Sequence, residues 1–140
     1  MQSWELIARE RIRDAYAAYT HAGDRGRLED LARAFTEDGE LEIKGRPPVS
    51  GRGAIVELLS EVVTAGASVT LEEGRPRYVR HFVTNIMFDE ITREQARTSA
   101  YFLVVNDRGV DHWGRYRDTL VPVGDRWRFS KRLVRLDDKR

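Results

Sequence analysis

The chain contains no cysteine, which excludes disulfides, thiolate nucleophiles and cysteine-ligated zinc. No apolar run approaches the roughly 20 residues of a membrane-spanning helix. The opening "MQSWELIARERIRD" carries charges where a signal peptide would be apolar. Neither sign of charge is in excess: 24 basic and 23 acidic residues leave a net +1, so there is no electrostatic footprint for nucleic acid or a membrane surface. GxSxG, HExxH, HxH and a glycine-rich phosphate loop are all missing. "GDRGR" has two glycines but joins two helical segments, so it is no dinucleotide fingerprint. The expectation is a soluble cytoplasmic protein, one domain over residues 1–140, with no metal, nucleic-acid or membrane partner.

What is present is strong periodicity. Trp4, Ala8, Ile12, Ala15, Tyr16 and Tyr19 recur at three- and four-residue spacing, which predicts a helix capped by Ser3 and ended by Gly23. Leu28, Leu31, Ala32 and Phe35 predict a short second helix. "EDGELEIKG" predicts a strand from Glu40 to Lys44, and "GRPPVSG" a loop. Ile55, Leu58, Leu59 and Val62 predict a third helix from Arg52 to about Thr64, stopped by Gly66. After Arg77 the pattern is all strand: Tyr78–Phe88, Ala96–Val105, Val110–Val123 and Trp127–Leu136, with turns at "NDRG" and "VGDR". Helices followed by long antiparallel strands define an α+β fold, three helices packed on a strongly curved sheet.

Alternation sorts the strand faces. Val79, His81, Val83, Asn85 and Met87 share one face of the first long strand. Tyr78, Arg80, Phe82, Thr84, Ile86 and Phe88 share the other. His112, Gly114, Tyr116, Asp118 and Leu120 share a face of the third, opposite Asp111, Trp113 and Arg115. Trp127, Phe129, Lys131 and Leu133 lie on one side of the fourth; Arg128, Ser130, Arg132 and Val134 lie on the other. Both faces of the first strand are apolar enough to be covered, one by the helices and the other most simply by a second subunit.

Three histidines are available: His21, His81 and His112. Imidazole titrates near neutrality and can take and return a proton. A carboxylate on its other ring nitrogen would fix the tautomer, and Asp24 is the leading partner for His81. Two plainer readings stay open: His81 as a hydrogen-bonded core histidine, and Asp24 as the N-cap of the second helix. His21 reads as a cation at a helix C-terminus and His112 as a surface residue. Arg115, Arg117, Arg128 and Arg132 read as cross-strand partners of acids on a sheet face.

"YTHAGDRGRLEDLARAFTEDGELEI", "GRGAIVELL", "RHFVTNIMFDEITREQARTSAYFLVV" and "WGRYRDTLVPVGDRWRFSKRLVRLD" occur in the order of, and together resemble, the SnoaL-like division of the nuclear-transport-factor-2-like superfamily. The resemblance implies a conical α+β barrel around a deep, mostly apolar pocket, often dimerised through the outer sheet face. It implies an Asp24–His81 dyad, with Tyr19, His112 and Tyr116 lining the pocket, and the alternation of the first long strand adds Val79, Val83 and Asn85 to the same cavity face. The implied activity is cofactor-independent acid/base chemistry, of dehydratase, isomerase or polyketide-cyclase type, on a small carbonyl-bearing metabolite. A ligand-binding or subunit-assembly module of the same fold is the alternative.

Overall fold

The structure, a computed structural model, describes residues 1–67 and 78–140, the side chains of 64–67 excepted. The first helix, α1 (Ser3–Asp24), buries the predicted stripe of Ala8, Ile12, Ala15, Tyr16 and Tyr19. Its ends differ from expectation. Gln2, not Ser3, occupies the N-cap position, without a side-chain cap. At the other end the Gly26 N–H bonds Gly23 O at 3.1 Å and the Arg27 N–H bonds Ala22 O at 2.9 Å, the Schellman arrangement. It needs a left-handed residue, and Gly26 supplies one at φ +70. Gly23 therefore stays inside the helix and Asp24 becomes its last residue. The N-cap of α2 (Leu28–Ala32) is Arg27, so Asp24 is not spent there.

Phe35, expected on the second helix, opens β1 (Phe35–Ile43) instead, and the proline-rich loop contains the two-residue β2 (Val49–Ser50). Helix α3 (Arg52–Ala67) runs through Gly66 rather than stopping at it. The long strands follow as β3 (Val79–Ile91), β4 (Ala96–Asn106), β5 (Gly109–Val123) and β6 (Arg126–Lys139). The strand order is β2-β1-β6-β5-β4-β3. Because β1 lies parallel to β6, the sheet is mixed rather than wholly antiparallel. It is also open, with β2 and β3 as edges, so the fold is an α+β cone rather than a closed barrel. Helix α1 crosses the inner face, and Phe82 and Tyr101 stay exposed on the outer one.

Residues directly opposite one another in a sheet share a face, so the register aligns the inner face into rows. His81, Val104 and His112 form one row, and Val83, Phe102 and Gly114 the next. Ala100, Tyr116 and Val134 follow, then Thr98, Asp118 and Arg132.

Among the register shifts of the sheet, one in each of β3, β5 and β6 redirects a side chain that bears on the inner face. In β3 the register shifts between Thr84 and Met87, where Asn85 takes φ +56. Beyond this bulge Ile86 and Phe88 pack on the core while Met87 is 63% exposed. In β6 the pairing moves from Leu120–Phe129 to Thr119–Lys131, leaving Ser130 as the extra residue and turning Arg132 inward. In β5 the shift from Val105–Val110 to Val104–His112 leaves Asp111 as the extra residue.

Candidate active site

The C-terminal end of α1 meets the edge strand β3 at Asp24 and His81. The His81 main-chain N–H donates to Asp24 Oδ2 at 3.1 Å, and its Nδ1 lies 2.6 Å from Asp24 Oδ1. Both carboxylate oxygens thus grip one residue, fixing backbone and ring together. A carboxylate only accepts, so Nδ1 carries the ring proton and the neutral imidazole presents a bare Nε2. The Asp24 side chain is 8% exposed and that of His81 24%, a sheltered carboxylate behind a reachable ring. Among the described residues nothing hydrogen-bonds that Nε2.

Five other predicted residues also face inward. Val79 and Val83 pack against the core from β3. The His112 ring stands 6.5 Å from that of His81, at 86° to it. Tyr116 stacks on Phe102 at 4.7 Å, and Phe102 lies 6.5 Å from His81 and 6.0 Å from His112. Phe102 is thus the wall on which both imidazoles rest. Tyr19 packs edge-on to Tyr116 at 6.2 Å. Asn85 is a correction: expected to line the pocket beside His81, it is exposed at the bulge, and its left-handed backbone ends the alternation that placed it there.

The inner end of the cone holds Arg132, which is the cross-strand partner of an acid, as its sequence suggested, but on the buried face beside Phe129 rather than opposite it. Arg132 is fully buried and grips Asp118 through Nε at 2.8 Å and Nη2 at 3.0 Å. The Tyr16 hydroxyl donates to Asp118 at 2.5 Å and meets the Thr98 hydroxyl at 2.8 Å. The guanidinium lies over Tyr116 at 3.8 Å and over Tyr19 and Phe129 at 4.2 Å. Burial alone would lower its pKa, but the Asp118 charge and hydrogen bonds outweigh burial and raise it. The signal was in the sequence, since Asp118 was already on the inner face, opposite the hairpin arm that carries Arg132. An unbulged hairpin, however, would have paired Asp118 with Lys131.

Tyr16, Tyr19 and Tyr116 all have raised pKa values, chiefly from burial, with the Asp118 charge adding to it at Tyr16. Raised folded values make their neutral forms a source of stability that is complete below the ordinary value of 10.0 and lost as pH climbs from there toward the folded values. Urea unfolding between pH 9 and 11 should therefore show stability falling above about pH 10, with a slope approaching three protons per molecule. A flat profile there would contradict the burial of these phenols.

Among the described residues no three His, Asp or Glu side chains gather as a metal-ligand set. A groove of ≈ 590 Å³ runs along the outer sheet face past Tyr101 and Arg117, and one of ≈ 690 Å³ lies by Trp127 and Arg11. Neither is lined by Asp24, His81 or His112. No described helix is long and apolar enough to cross a membrane.

The SnoaL-like domain model matches residues 4–133. The chain belongs to this SnoaL-like family. A solved protein from Catenulispora acidiphila is 30% identical, with a TM-score of 0.79, covering 96% of this chain and 95% of its own. Another structure from that organism, in complex with S-DNPA, is 31% identical with a TM-score of 0.75, covering 91% and 92%. A scytalone dehydratase-like protein from Novosphingobium aromaticivorans shares the fold at 23% identity and a TM-score of 0.80, covering 100% and 91%. None of the curated proteins matches the chain. SnoaL-like and scytalone dehydratase-like families include isomerases, lyases and cyclases, and their fold is one that binds small molecules.

Proposed function

We propose that this SnoaL-like chain is a cofactor-independent acid/base enzyme acting on a small, mainly apolar molecule that carries a carbonyl group. The observation that carries the reading is the Asp24 carboxylate 2.6 Å from His81 Nδ1, which leaves Nε2 as the reactive nitrogen. His81 would take a proton from carbon next to the carbonyl, and Asp24 would hold the ring and stabilise the imidazolium. Phe102, Val79 and Val83 offer an apolar wall beside it. Dehydration, isomerisation and aldol-type cyclisation all share this first step. A ligand-binding role without chemistry is the second reading, and the packing of Phe102 on Tyr116, which fills the space behind the dyad, favours it.

The test is proton exchange on a simple apolar ketone. β-Tetralone in deuterium oxide should acquire deuterium next to its carbonyl, followed by NMR. His81→Ala should slow that exchange by about a hundredfold, and Asp24→Asn by less, since the ring is kept. Wild-type exchange no faster than buffer, or unaffected by His81→Ala, would sink the enzyme reading in favour of the binding module.

A further inference from the structure

In an unbroken strand neighbouring side chains point to opposite faces, so Asp111 and His112 should not meet. The β5 bulge places Asp111 as the extra residue, and its Oδ2 lies 2.7 Å from His112 Nδ1. Asn106 at the end of β4 donates to the other oxygen, Oδ1, at 3.0 Å, and so helps hold the carboxylate in place. The His112 side chain is 33% exposed and that of Asp111 32%. Here again Nδ1 is tied to a carboxylate, and nothing described hydrogen-bonds Nε2. The two imidazoles flank Val104 in one row of the sheet, 6.5 Å apart and perpendicular, both resting on Phe102. Two independent His–carboxylate pairs therefore stand side by side on the inner face of the sheet.

We propose that His112, oriented by Asp111, is the second acid/base group of this site and protonates the oxygen that leaves the substrate. This rests on the reading of His81 as the base. In a β-hydroxy ketone, the bond between hydrogen and the carbon next to the carbonyl breaks, and the proton goes to His81 Nε2. The freed electron pair forms the carbon–carbon double bond as the carbon–oxygen bond breaks. The departing hydroxyl takes the proton from His112 Nε2 and leaves as water. The cycle ends with His81 protonated and His112 neutral, and solvent resets both because both rings are partly exposed. The pair suits opposite roles, because each ring is held by its own carboxylate and the two stand side by side on one face.

Two measurements decide it. The first needs no substrate. Imidazole nitrogen resonances of the labelled protein are recorded in wild type and in Asp111→Ala. The neutral His112 ring should carry its proton on Nδ1 while Asp111 accepts from it, and more of it on Nε2 once the carboxylate is gone. His21, exposed on α1, should not change. A wild-type His112 with its proton on Nε2, or no change in Asp111→Ala, overturns the proposal.

The second uses the acetone–benzaldehyde aldol, whose dehydration gives a strongly absorbing enone. His112→Gln should slow this elimination by about a hundredfold and β-tetralone exchange by far less, because exchange breaks no carbon–oxygen bond. His81→Gln should slow both. Equal losses in both reactions for His112→Gln, or no loss in either, overturn the role of His112. A wild type that fails to exchange β-tetralone counts against the reading of His81, and the tautomer measurement alone then decides whether Asp111 orients His112.

Discussion

Arg132→Met is expected to destabilise the fold by about 3–5 kcal/mol, because it leaves Asp118 as a buried, uncompensated charge. Both side chains of the pair are 0% exposed, so water cannot take the place of the missing partner. The Tyr16 hydroxyl alone would remain to solvate Asp118. The variant also removes the cation lying over Tyr116, Tyr19 and Phe129, while the methionine keeps an apolar chain against those rings. The matching double variant, Arg132→Met with Asp118→Leu, should recover most of the loss, since apolar replacements of a buried ion pair are often neutral or better. Urea midpoints for wild type, both single variants and the double variant form the cycle. A cost below about 1 kcal/mol for the single change would mean that the pair behaves like an exposed one.

Gly114→Ala should cost about 3 kcal/mol, the upper end of overpacking, and should damage the site out of proportion to the fold. A Cβ at this position would run into the Arg135 carbonyl oxygen and lie 2.7 Å from Phe102 Cζ. The first clash is with backbone of the neighbouring strand, which moves only if β5 and β6 part. The second would push Phe102 off the position where it supports His81 and His112. A methyl-sized addition two residues from His112 thus reaches both histidines through one ring. Thermal unfolding and β-tetralone exchange measured on the same protein would separate the two effects. A stable variant with wild-type exchange would show that Phe102 yields freely and does not position the imidazoles.

Much of the site follows from periodicity alone. The helical stripe from Ala8 to Tyr19 and the inward run from His112 through Gly114, Tyr116 and Asp118 are both buried faces in the structure, because residues at these spacings cannot avoid one another's side. Asp24 and His81 were legible as a candidate pair, although not from spacing, since 57 residues separate them in sequence. Where the reading failed, it failed at irregularities of one residue. Asn85 went outward, Arg132 inward, and Asp111 turned onto its own neighbour, each at a bulge. Gly23 and Gly26 were both available to end α1, and only the closing hydrogen bonds chose between them.

The sequence by itself determined most element types, the faces of the long strands up to their bulges and the absence of thiol chemistry, because these depend on local geometry and composition. Tertiary structure decided which side chains meet. A bulge carries little local signature here, as Asn85, Asp111 and Ser130 are ordinary strand or turn residues in context. Its position is set by the competition between two neighbouring strands to bury their apolar rows while keeping their ladders of hydrogen bonds. Once one extra residue is accommodated, every side chain beyond it changes face. For that reason a buried arginine and a second histidine–carboxylate pair, rather than the asparagine that alternation pointed to, complete the inner surface of this cone.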